Sequence, residues 1–210
     1  MHIFFYLALL FTSIIALTFI VERGFALRWQ KVVPSAVESA VSHYHSIRDL
    51  DRLRHICEHH PSAFSRLVLL AADHVDWPKA ESINLIEKRS RHEVVKLERG
   101  LVVLEIIVGI APLLGLVGTI YGLILLFGSM NQGNASDTTL FAQGISLALN
   151  ATLMGLLIAI PTLVAWSYYS KKVENLTIEM ETLCDELLRR HYGATESPEL
   201  TPKLVPKTFK

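Results

Sequence analysis

The chain has 210 residues, 51% of them hydrophobic and 19% charged, and its 20 Lys and Arg balance 20 Asp and Glu. No basic segment stands apart, which argues against a nucleic-acid partner, and two cysteines, Cys57 and Cys184, are too few for a disulfide scaffold. The apolar residues gather instead into long runs, and that distribution points to lipid as a solvent.

The first run, residues 1–22, is long enough to span a bilayer. Gly24-Phe25-Ala26 follows it as a small-x-small site, yet no Lys or Arg precedes the run, so a retained transmembrane helix is expected rather than a cleaved signal peptide. Residues 23–100 read as short helices punctuated by Pro34, Pro61 and the Trp77-Pro78 pair. Val37, Ala40, Val41 and Tyr44 form one apolar stripe, and Phe64, Leu67, Val68 and Ala71 form another. A helix from Lys79 carries Ile83, Ile86, Ser90, Val94 and Leu97 at helical spacing with no breaker before Gly100, so it is expected to run directly into the second span.

Residues 101–130 form the second span, 131–139 a short link, and 140–170 the third span. No charged residue occurs from Ile106 to Ser136 or from Thr138 to Ser170. Beyond the third span, Trp166, Tyr169, Val173, Leu176, Met180, Leu183 and Leu187 keep a 3-4 rhythm, the mark of a helix-packing seam. One helix is therefore expected to continue through 171–193, leaving 194–210 as a disordered tail. The fold class is thus an all-α membrane protein: three transmembrane helices, the second and third extended into the cytoplasm, plus a helical cytoplasmic loop. Thirteen Lys and Arg lie from Arg23 to Arg99 and seven from Lys171 to Lys210, while the link has none. That bias places the N-terminus and the link outside, and the loop, the tail and both cysteines inside, where thiols stay reduced.

In the second span, Glu105, Pro112, Thr119 and Leu126 are spaced by seven, and Val108, Gly115, Gly122 and Ser129 repeat at the same interval, so all eight share one helical stripe. An ionisable group and a hydroxyl on one face suggest a protein interior or a lumen. Gly115, Gly118 and Gly122 equally permit close helix approach. In the third span Gln143, Ser146 and Asn150 lie on one side, and Gly144, Ala148, Ala151, Gly155 and Ala159 form a small-residue face with Thr152 at its edge. Thr119 lies about eight residues before the outer end of its span and Thr152 about eleven after the outer start of the next; at about 1.5 Å per residue, antiparallel neighbours bring the two hydroxyls to one depth. Glu105 falls about 21 Å further in, near the cytoplasmic interface, where it reads either as an ion station at the inner mouth or as a wetted carboxylate beside Arg99.

His55-Ile56-Cys57-Glu58-His59 matches the H-x-x-E-H pattern of zinc peptidases. However, His60 and Pro61 end that helix at once and no third ligand is signposted, so a solvated histidine cluster is expected instead. Phosphate-binding, dinucleotide and nucleophile-elbow motifs do not occur. No cofactor, no metal and no enzymatic activity are expected.

The run Ala111-Pro112-Leu113-Leu114-Gly115-Leu116-Val117-Gly118-Thr119-Ile120-Tyr121-Gly122 resembles the second-span signature of the MotA/TolQ/ExbB proton-channel family. Gly144-Ile145-Ser146-Leu147-Ala148-Leu149-Asn150-Ala151-Thr152, with Gly155-Leu156 and Ala159-Ile160-Pro161, resembles its other block. Length and three spans match the ExbB/TolQ branch. The resemblance implies a homopentamer in the inner membrane of a Gram-negative cell, with spans two and three lining a pore that holds the single spans of an ExbD/TolR-like partner. It also implies that the partner's membrane Asp carries the proton, and that the work reaches a periplasmic TonB/TolA-like protein. Thr119 and Thr152 occupy the positions of the family's pore-lining threonines; with Glu105, Pro112 and Asn150 they form the expected ion pathway, while Gly115, Gly118, Gly122, Gly144, Gly155 and Pro161 are assigned to helix packing. Leu147 stands where the best-known branch has Glu, which leaves room for a sodium-driven variant or for a nonconducting pentameric scaffold around a partner helix. Neither the glycine stripe nor the cytoplasmic seam is expected to be satisfied in a monomer: the helix around 83–97 is expected to cover part of the seam and neighbouring subunits the rest.

Overall fold

The computed structural model describes residues 2–44, 49–130 and 138–195. They form eight α-helices, with no strand among the described residues: α1 (His2–Ala26), α2 (Trp29–Val32), α3 (Ser35–Ser42), α4 (Leu50–His59), α5 (Ala63–Asp73), α6 (Lys79–Glu98), α7 (Leu101–Met130) and α8 (Thr138–Thr195). Three of them, α1, α7 and α8, contain stretches long and apolar enough to cross a membrane. The chain divides into two compact units: residues 1–28 with 95–174, and residues 29–94 with 175–210. The predicted link at 131–139 and tail at 194–210 lie almost wholly outside the described residues.

The first unit holds α1, α7 and the first part of α8. Along α7 the buried positions among the described side chains are Leu101, Leu104, Ile107, Ala111, Gly115, Gly118, Gly122 and Leu126, one stripe at steps of three or four, as a helix packed along one face requires. Ala16 of α1, Ile107 and Ala111 of α7 and Ala159 of α8 meet in a shared core flanked by Ile15, Val103 and Ile158. Away from these contacts the spans expose Phe11, Ile14, Ile110, Leu113, Ile124, Leu153, Ile160 and Val164, a surface fit for lipid or other protein but not for water. Other threonines of the spans satisfy themselves locally, Thr12 donating to the Ala8 carbonyl at 2.8 Å and the buried Thr162 to that of Ile158 at 2.7 Å.

The second unit is a helical bundle built on Val33, Val37, Val41, Tyr44, Leu53, Phe64, Leu67 and Val68, joined by Leu176 and Met180 from α8, all nearly inaccessible. The prolines act as punctuation: Pro34 is the N-cap of α3, and the Pro78 carbonyl accepts from the amides of Glu81 and Ser82 as α6 begins. Ser62 caps α5 by accepting from the Ser65 amide at 3.0 Å. In α6, Ile83 is exposed, whereas Glu93 is wholly buried. The Glu93 carboxylate pairs with the Arg66 guanidinium of α5 and lies 3.6 Å from that of Arg89. A buried charge is tolerable only when paired in this way.

Two expectations are corrected. The helix from Lys79 does not run directly into the second span: α6 stops at Glu98, and Arg99 and Gly100 form a turn before α7. The apolar seam beyond the third span does not wait for a neighbour, because Val173, Leu176, Met180, Leu183 and Leu187 are all buried within the single chain. In contrast to α6 and α7, α8 is one unbroken helix that carries Pro161 within it.

Candidate functional site

The site lies where α7 and α8 cross, and missing side chains create it. A methyl group on Gly155 would sit 2.6 Å from the Ala111 carbonyl oxygen and 3.2 Å from the Gly115 Cα; one on Gly115 would sit 2.9 Å from the Ala151 carbonyl oxygen and 3.0 Å from the Thr152 Cα. The two backbones therefore touch directly, as small-xxx-small interfaces allow. Further along α7, Gly118 faces the Ala151 methyl, Gly122 faces Ala148, and Gly144 lies under Leu126. The glycine stripe is thus satisfied inside one subunit, contrary to the expectation that it needs a neighbour.

This close approach brings Thr119 and Thr152 together. Their hydroxyls are in hydrogen-bond contact, and Thr119 Oγ1 also lies 3.0 Å from the Ala148 carbonyl across the interface and 3.2 Å from the Gly115 carbonyl of its own helix. Thr152 Oγ1 is 3.5 Å from the same Gly115 oxygen. Each hydroxyl has one proton to donate and two lone pairs to accept with, so two protons serve this group of oxygens. Both side chains are half-buried, at the edge of the contact rather than within it.

The other predicted residues are spread out. Pro112, half-buried one heptad before Thr119, lacks an amide hydrogen and so leaves the Val108 carbonyl without its helical partner. Glu105 is exposed on the same stripe. Asn150 is exposed and, two residues from Thr152, points about 200° around α8 from it; the structure does not bring it to the hydroxyl pair. Pro161 is also exposed, and instead of sitting in a tight contact it lines a groove of about 440 Å³ with Tyr6, Leu10, Leu17 and Met154. The side chains of Gln143 and Leu147 lie outside the described residues. His55 and His59 stack with ring centroids 4.1 Å apart, and His59 Nδ1 bonds to the His55 carbonyl; no group of three potential metal ligands occurs among the described residues. Reading the sequence missed Ala148, whose carbonyl receives the Thr119 hydroxyl, although its place on the small-residue face was the available signal.

Three apolar helices, two of them packed backbone to backbone with a hydroxyl pair at the edge of their contact, define a multi-pass membrane protein. The chain belongs to the MotA/TolQ/ExbB proton channel family, whose family model matches residues 60–182. It is 35% identical over 161 residues to the ExbB-like biopolymer transport protein 1 of Synechocystis sp., covering 72% of this chain and 61% of that one. The biopolymer transport protein ExbB of Helicobacter pylori is 38% identical over 81 residues, covering 39% of this chain and 56% of that one. The Tol-Pal system protein TolQ of Haemophilus influenzae is 27% identical over 123 residues, covering 59% and 54%. The chain thus spans somewhat over half the length of these relatives.

Proposed function

We propose that this chain is the channel-forming subunit of an ExbB/TolQ-like motor that couples ion flow across the inner membrane to work on a periplasmic protein, with no catalysis of its own. Five copies form a ring in which α7 and α8 line the pore, and a single-span ExbD/TolR-like partner occupies that pore and supplies the proton-carrying carboxylate. A TonB/TolA-like protein receives the work. The N-terminus is periplasmic and the loop and tail are cytoplasmic, in keeping with the bias of Lys and Arg. The observation that carries the reading is the Thr119–Thr152 hydroxyl pair at the edge of the crossing, a polar spot within otherwise apolar spans. A nonconducting scaffold is the second reading, favoured by the same bonds seen differently: a hydroxyl that ties α7 to the Ala148 carbonyl of α8 can serve packing alone.

Flux into proteoliposomes containing the protein and its partner, followed with proton- and sodium-sensitive dyes, tests the proposal. Thr119→Val and Thr152→Val should each abolish flux while native mass spectrometry still finds the assembled ring, and Thr→Ser at either position should retain flux. The dye that responds names the ion. Full flux in the double Val variant would sink the pore assignment, and a wild-type complex that holds its partner but passes neither ion would establish the scaffold.

A further inference from the structure

The sharpest unexplained feature of the first unit is a buried cation. Arg23, near the end of α1, has a side chain only 13% exposed. Its Nη1 donates to the Leu97 carbonyl at 3.1 Å and its Nη2 lies 3.3 Å from the Glu22 carboxylate, while Nε finds no partner. Leu97 belongs to the last turn of α6, whose carbonyls have no amide further along the helix to receive and whose partial negative charge suits a cation. The guanidinium also fills the space directly over Gly100, so that a methyl group there would collide with Nε, Cζ and Nη2 together. No left-handed backbone angle demands glycine at this position; the requirement is for room. The end of α1 is itself fixed, since Tyr169 of α8 donates to the Ile20 carbonyl at 2.9 Å and its hydroxyl sits 3.0 Å from where a Gly24 methyl would be.

We infer that Arg23 is a latch: held by α1, it occupies the turn at Arg99 and Gly100, satisfies the end of α6, and keeps α6 and α7 as two helices where the chain would otherwise form one. Nothing else in the local sequence stops the helix there except glycine's weak preference for it. α1 is therefore more than an anchor, because its inner end determines how the chain enters the channel-forming helix. Arg23 acts through this joint as a positioning residue.

Amide hydrogen exchange over residues 97–103 and thermal midpoints, measured on the full chain in nanodiscs, test the latch through a reversal of sign. Gly100→Ala in the native background should lower the midpoint, because the methyl expels the guanidinium. In the Arg23→Ala background the same change should be neutral or stabilising, with exchange at the joint slowed roughly fivefold as alanine favours a continuous helix. Arg23→Lys provides the control. Its ammonium still reaches the Leu97 carbonyl but leaves the space over Gly100 open, so the wild-type exchange pattern should survive and Gly100→Ala should be tolerated. Equal effects of Gly100→Ala in the native and Arg23→Ala backgrounds, or slowed exchange absent from the double variant, would overturn the latch; a midpoint loss confined to the native background confirms it.

Discussion

Gly155→Ala is the smallest perturbation that attacks the α7–α8 crossing. The added methyl would stand 2.6 Å from the Ala111 carbonyl oxygen, backbone that no side-chain rotation can move. Relieving it to ordinary contact needs the helices to part by about 0.8 Å. Overpacking of this kind costs about 1–3 kcal/mol, offset by about 0.5–1 kcal/mol from replacing a helical glycine with alanine, so a net loss of about 1 kcal/mol or somewhat more is expected. For a chain of this size that lowers the thermal midpoint by about 2–4 °C per kcal/mol. The same separation would stretch the Thr119 Oγ1 to Ala148 carbonyl distance from 3.0 Å past the roughly 3.5 Å at which a hydrogen bond lapses, so ion flux should fall with the midpoint. Gly109→Ala is the matched control, since nothing lies within 4 Å of its methyl position; it should be neutral or slightly stabilising. Equal midpoints and equal flux for the two variants would refute the claim that this crossing is closed by bare backbone.

Burial pushes both thiols, Cys57 and Cys184, up to about 12 from 9.0, so the unfolded chain loses these protons first and stability should decline as pH rises from about 9 towards 12; denaturant titrations across that range, compared with a Cys57→Ala/Cys184→Ala variant, would show it. His191 moves the other way: burial lowers its pKa despite the opposing pull of Asp76 and the Val75 carbonyl, and its Nδ1 meets the Tyr44 hydroxyl at 2.9 Å. The unfolded ring takes up a proton near 6.5 that the folded ring resists, so stability should fall as pH drops below about 6.5, and His191→Gln should flatten that dependence. Leu116→Trp, on an exposed face of α7, should shift the native-mass distribution from ring to folded monomer, whereas Gly118→Trp strikes the Ala151 methyl and should yield no folded monomer; an unchanged ring for Leu116→Trp would place that face against lipid.

Features with a local or periodic cause were legible in the sequence. Uncharged runs announced the spans, the continuous 3-4 rhythm announced the unbroken α8, and the number of residues from the span ends puts Thr119 and Thr152 at one depth. What stayed hidden depended on distant partners. Gly100 gave no sign of a break, because the cause is Arg23 on another helix. Nothing in the local sequence marks Glu93 as buried, since its burial depends on Arg66 of α5. The apolar seam was visible, yet periodicity reveals only that a stripe must be covered and not whether the cover comes from the same chain. Asn150 was grouped with the pathway on polarity alone, and its angle around α8 separates it from the hydroxyl pair.

The uncharged spans have an electrical consequence. A charge carried fully across the bilayer couples to the membrane potential by about 2.3 kcal/mol per 100 mV. This chain has no Asp, Glu, Lys or Arg before Glu22, from Ile106 to Ser136, or from Thr138 to Ser170, so apart from Glu105, close to one end of α7, the spans carry no gating charge for a field to pull on. Their rearrangement is blind to voltage to first order. Under the proposed function, any strong voltage dependence would therefore belong to the permeating ion, to Glu105 or to a carboxylate that another chain brings into the field.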